Sequence, residues 1–113
     1  MIKAIIQYIE SARKGITIKI DIDDAKRPDD VATWQDEEVV ITNGKNIIQG
    51  EVWKIQTLSD SSTRLSVEIP RNTYPENIFT WKHERILIKK ENEENDNGAE
   101  TDRTGKNKKR KRA

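Results

Sequence analysis

The side chains able to do acid–base, nucleophilic or metal chemistry are few and poorly arranged. His83 is the single histidine, and it stands between Lys82 and Glu84, where a lone histidine is ordinarily a surface residue rather than a base. Cysteine is absent, which excludes thiol nucleophiles, thiolate metal sites and disulfides and fits a reducing compartment. Asp21, Asp23 and Asp24 bring three carboxylates close together. They fail the calcium-loop pattern, because Ala25 falls where an oxygen ligand is required and no glycine follows. A solvated acidic loop accounts for them. No GxxxxGK[ST] or GxGxxG sequence is present to cradle phosphate through backbone amides. The expectation is a protein that is not an enzyme and needs neither metal nor cofactor.

The remaining chemistry is that of binding. Aromatic side chains at Trp53, Tyr74 and Trp81 are interleaved with cations at Lys54 and Lys82. Exposed on a small β surface, such rings stack unpaired bases, at roughly 1–3 kcal/mol per base, while the cations follow the phosphates. Trp53, Phe79 and Trp81 are equally suited to filling the core of so small a domain, which needs large side chains. Lys106, Lys108, Lys109, Arg110, Lys111 and Arg112 close the chain with a cationic run. Such a run attracts phosphate without sequence preference, because each neutralised phosphate releases counterions. Its blander roles are as a solubilising tail or one that folds back on acidic residues. A third feature is acidic: from Asp21 to Glu38, eight carboxylates face only Lys26 and Arg27. Asp29, Asp30, Asp36, Glu37 and Glu38 make this a candidate surface for a basic protein partner.

The elements that must carry these residues are short and mostly extended. The apolar residues are skewed to 16 Ile and 5 Val against 3 Leu, and β-branched side chains favour extended backbone. Ile16 to Asp23 alternates apolar and polar without a break, as a half-buried strand does. Ile2 to Glu10 fits two patterns. Ile2, Ile5, Ile6 and Ile9 have helical spacing, whereas a strand places Ala4, Ile6 and Tyr8 on one face and Ile5 and Ile9 on the other. Four isoleucines make a poor short helix, so a hairpin through a loop at Ser11 to Gly15 is preferred. Pro28-Asp29-Asp30 could open one short helix through Trp34. Val39-Val40-Ile41 runs into the Asn43-Gly44 turn. Strands are then expected over Gln49 to Leu58, over Arg64 to Ile69 (stopped by Pro70), and from about Glu84 to Lys89. One helical turn fits Pro75 to Ile78.

Five or six short strands with frequent turns predict an all-β domain over residues 1–90, an OB-like or SH3-like barrel with at most one short helix. Residues 91–113 change character. Acids alone occupy the charged positions of 91–102 and bases alone those of 103–113. With no large apolar side chain, this stretch cannot offset the entropy of ordering and is expected to be a disordered tail. The two signs balance within residues 1–90. No apolar run approaches the ~20 residues a membrane helix needs, and the N-terminus lacks the features of a signal peptide. A soluble cytoplasmic protein is therefore expected.

Glu51-Val52-Trp53-Lys54-Ile55, Arg64-Leu65-Ser66-Val67-Glu68-Ile69-Pro70, the Pro75-Glu76-Asn77-Ile78 step and Glu84-Arg85-Ile86-Leu87-Ile88 follow one another between Gly50 and Lys89. This stretch resembles small β-barrel accessory proteins encoded by phages and conjugative elements of low-GC bacteria. The resemblance implies a non-enzymatic helper in DNA replication, recombination or host interference, acting in the host cytoplasm. Three roles follow as expectations. The first is binding of nucleic acid, single-stranded DNA above all. The second is inhibition of a protein target, of the anti-defence or anti-CRISPR type, through the acidic segment 21–38. The third is a structural component of a virion or secretion machine, in which the chain would form a homo-oligomer.

Overall fold

Residues 1–91 are described by a computed structural model of the chain; the tail residues 92–113, including the cationic run, lie outside them. Six strands form: β1 (Ile2–Ala12), β2 (Gly15–Ile22), β3 (Glu38–Thr42), β4 (Ile47–Thr57), β5 (Thr63–Pro70) and β6 (Arg85–Lys90). They make one antiparallel sheet in the order β1-β2-β5-β4-β3-β6, and β6 pairs back with β1 to close a ring. The remaining regular structure among the described residues is three 3-10 turns, at Asp24–Lys26, Val31–Trp34 and Ile78–Trp81.

Strand alternation settles the ambiguous N-terminus. Ile2 to Ala12 is extended and pairs with β2 down to Ala12–Gly15, so the connecting turn is only Arg13-Lys14. The five-residue loop expected there is thus shorter than the sequence indicated. Ile16, Ile18, Ile20 and Ile22 all point inward and are fully buried, meeting Leu65, Val67 and Ile69 of β5. A ring of β-branched residues suits this curvature, because stiff side chains fill a narrow interior at little cost in rotamer entropy.

β2 and β3 lie half a circuit apart in the ring, and so do β5 and β6. Their connections therefore cross the ends of the ring, and strand direction puts one connection at each end. Trp34 and Val31 plug one end, Trp81 and Ile78 the other, and all four are buried.

These two connections are copies of one another. Pro28–Ile41 and Pro75–Ile88 share Pro, Thr, Trp, Glu and Ile at five of fourteen aligned positions, and several others are conservative. Val31 N–H donates to the Pro28 carbonyl as Ile78 N–H does to Pro75. Thr33 Oγ1 donates to the Asp30 carbonyl at 2.7 Å, as Thr80 Oγ1 does to Asn77 at 2.7 Å. Asp36 and His83 both adopt left-handed backbone, with φ 67° and 71°. The correspondence extends to the strands, β1 to β4, β2 to β5 and β3 to β6, and it maps the ring order onto itself. The two halves of the molecule are thus related by a pseudo-two-fold axis. The axis runs through the pair Lys19–Ser66 on one wall and Ile41–Ile88 on the opposite wall.

The halves interlock through two equivalent bulges. Val52 accepts from Asp36 N–H at 2.7 Å and donates to the Glu37 carbonyl at 3.0 Å; Ile6 accepts from His83 N–H at 2.6 Å and donates to the Glu84 carbonyl at 3.1 Å. At these points the pairing of β1 with β2 and of β4 with β5 shifts by one residue. A bulge adds a residue and reverses the faces beyond it. This places Tyr8 on the outer surface, away from Ala4 and Ile6, contrary to the unbroken alternation expected from the sequence.

Candidate nucleic-acid interface

The outer wall formed by β1, β2, β5 and β4 carries the aromatic and cationic groups. Tyr8, Lys19, Ser66 and Lys54 lie directly opposite one another on successive strands. With strands about 4.8 Å apart, this row spans on the order of 15 Å. At one end the Tyr8 ring is 44% exposed. The Arg64 guanidinium lies 5.2 Å from its centroid and the Lys82 ammonium 5.9 Å. Both are within cation–π range.

Arg64 is fixed by Asp21, with Nε and Nη2 donating to the two carboxylate oxygens at 2.7 and 3.0 Å. These bonds also raise its affinity for the proton. A fork held in this way cannot be reproduced by lysine. At the other end, the β4 bulge turns Trp53 outward beside Lys54, and the indole is 47% exposed. Gln35 Nε2 donates to the Trp53 carbonyl at 2.7 Å and steadies the bulge. In the middle, the Ser66 hydroxyl is fully buried and has no hydrogen-bond partner. Such orphaned groups are rare in folded proteins.

The residues proposed from the sequence therefore separate. Trp53, Lys54 and Lys82 reach the outer surface. Trp81 is 1% exposed and plugs the ring, so it cannot stack on a base. Tyr74 is half-buried against the core. Trp53 and Phe79, equally suited on sequence to the core, are about half exposed instead. Lys106, Lys108, Lys109, Arg110, Lys111 and Arg112 lie outside the described residues. Tyr8, Lys19 and Arg64 were missed, because only the bulge and the strand pairing bring them together.

The acidic segment is dispersed along the same scaffold. Asp21 is held by Arg64, and Asp24 lies 3.6 Å from Arg27. Asp30 accepts from the Trp34 indole at 3.3 Å and lies 3.9 Å from Lys90. Asp29 is exposed just before it, while Asp36 and Glu37 flank the β4 bulge. Glu38 joins a row with residues from outside the segment: Glu38 opposes Glu51, which opposes Glu68. Directly opposed like charges are unfavourable.

Burial, reinforced by Glu51 and Glu91, raises the Glu38 carboxyl above its ordinary value. A carboxyl that holds its proton more tightly when folded costs stability as pH rises through that raised pKa, and the cost vanishes in acid. Glu38→Gln is accordingly expected to stabilise the protein at neutral pH by a few tenths to about 1 kcal/mol. In acid that protonates Glu38 in both folded and unfolded chains, the gain should disappear. Thermal melts of the two proteins at neutral and acidic pH check this.

No protein-family model matches the chain, and no curated protein or solved structure matches it either.

Proposed function

We propose that this chain is a non-enzymatic nucleic-acid-binding accessory protein that grips a single strand on the outer wall of its ring. The observation that carries the proposal is the Tyr8–Lys19–Ser66–Lys54 row, ended by exposed Tyr8 and Trp53 and flanked by Arg64 and Lys82. Its length suits two or three stacked nucleotides, with rings for the bases and cations for the phosphates. The ring acts here as a small barrel in the manner of OB-like modules, with six strands where an OB-fold has five. The similarity of residues 50–89 to accessory proteins of phages and mobile elements, acting in the host cytoplasm, belongs to the same proposal. The cationic run 106–112 adds salt-sensitive affinity.

The test is binding of a short labelled oligothymidylate by fluorescence anisotropy. Removing Tyr8 and Trp53 together (Y8A/W53A) should weaken binding by at least about 5- to 150-fold, the equivalent of one lost stacking contact. Deleting residues 92–113 should flatten the dependence of log affinity on log salt. If the full-length protein fails to bind at low salt, the proposal is wrong.

A second reading, inhibition of a protein with a basic nucleic-acid channel, is favoured by the Glu38–Glu51–Glu68 row. Electrostatic complementarity steers such encounters. Under that reading, charge reversal at Glu38, Glu51 and Glu68 abolishes activity, whereas Y8A/W53A leaves it intact.

A further inference from the structure

The strands that close the ring carry a groove on their outer face. Lys3 and Ile5 of β1 oppose Leu87 and Arg85 of β6, so that each cation faces an aliphatic side chain across the seam. Asp23–Lys26 walls one side of the groove, and the Thr42–Gly44 turn walls the other. The opening holds about 570 Å³. Ile5 and Leu87 form an apolar floor, each more than a third exposed. Among the described residues no side-chain hydrogen bond or ion pair engages Lys3, Lys26 or Arg85. Of the two acids on the rim, Asp21 is already neutralised by Arg64, which leaves Asp23 against three free cations.

The internal two-fold supplies a comparison. The equivalent seam, β3 with β4, places Gln49 where Lys3 stands, Glu51 for Ile5, Glu38 for Arg85 and Val40 for Leu87. The same backbone frame thus bears two free cations over an apolar floor on one side and two opposed glutamates on the other. An anion is drawn to the first seam and repelled by the second.

The groove also adjoins the outer wall. Arg85, Ile5, Asp21 and Arg64 are successive cross-strand neighbours, and Arg64 lies over Tyr8.

We propose that the β1–β6 groove seats one nucleotide unit of the bound single strand, its base on Ile5 and Leu87 and the adjoining phosphates on Lys3, Lys26 and Arg85. This rests on the single-strand reading above and gives it a direction. The strand enters the groove past Arg64 and Tyr8, and the glutamates of the opposite seam bar the equivalent path.

The experiment uses the full chain, a short labelled oligothymidylate, salt titration and amide chemical-shift mapping. K3Q/R85Q changes two exposed side chains and should preserve the far-ultraviolet circular dichroism. Loss of two phosphate contacts should reduce the slope of log affinity against log salt by roughly 1.4. Amides of Ile5 and Leu87 should shift when the oligonucleotide is added. Q49A, at the position of the other seam equivalent to Lys3, should leave the slope unchanged.

If wild type and K3Q/R85Q share one slope while Y8A/W53A still weakens binding, the groove inference falls and the single-strand reading stands. If the wild type binds no oligonucleotide, both fall. If Ile5 and Leu87 shift on deletion of residues 92–113 without any oligonucleotide, the groove belongs to the chain's own acidic segment and the inference is overturned.

Discussion

Trp81→Ala is expected to destabilise the chain by about 3–5 kcal/mol, the range for removing a buried aromatic side chain. The ring has two open ends, and the indole of Trp81 fills one of them together with Ile78. Its backbone is fixed as well: Trp81 accepts from Glu84 N–H at 2.9 Å, in the corner that pairs with the β1 bulge. The surroundings therefore cannot collapse into the vacated space. A domain of this size has about 5–15 kcal/mol in all, so much of the stability should go. Trp34→Ala should cost a similar amount, because Trp34 fills the other end in the equivalent position. Trp53→Ala should change stability by less than about 1 kcal/mol, since half of that indole is already in water. Urea unfolding followed by circular dichroism checks all three. Equal losses at Trp53 and Trp81 would contradict the division into end plugs and outer wall.

Gly50→Ala should cost about 3 kcal/mol, the upper end of the overpacking range. A Cβ at Gly50 would lie 2.4 Å from the Glu68 carbonyl oxygen, 2.5 Å from Ile69 Cδ1 and 2.8 Å from Val67 Cγ1. The first of these is backbone in the middle of β5, held by β2 on its far side, and it cannot step back. Gly50 is the counterpart of Ala4, which carries a Cβ in the other half and remains buried. The two halves thus differ here in how closely the strand leans on its neighbour. Gly15→Ala should be at least as damaging, because its Cβ would meet three backbone atoms of Ile69–Arg71. The midpoint of urea unfolding reads both. A midpoint for Gly50→Ala equal to wild type would mean that the β4–β5 approach is looser than described.

The strands were legible wherever one face is buried and the pleat is unbroken. Ile16 to Ile22 and Leu65 to Ile69 show their inward face directly in the alternation, because a period of two has one buried phase. The Asn43-Gly44 turn was legible for a local reason: Gly44 takes φ 95°, and Asn43 Oδ1 accepts the amides of Lys45 and Asn46. The two Pro-x-x-x-x-Thr-Trp-x-x-Glu segments, 47 residues apart, carry the internal repeat in the sequence itself. The proposed interface is half legible: Trp53, Lys54 and Lys82 stand out as aromatic and cationic neighbours in the sequence, whereas Tyr8 and Arg64 do not.

What the sequence determined by itself, then, is an all-β body of short strands, because composition and alternation are local properties. Tertiary structure alone decided which aromatic rings reach water. Tyr8 and Trp53 face outward since Ile6 and Val52 are captured by backbone groups at Glu84 and Glu37, remote in sequence for Ile6, and each capture forces a one-residue bulge. Trp34 and Trp81 face inward because ring closure leaves two ends to fill. Neither outcome is written in the neighbours of those residues. The first follows from backbone hydrogen bonds at the two bulges, the second from closure of the ring.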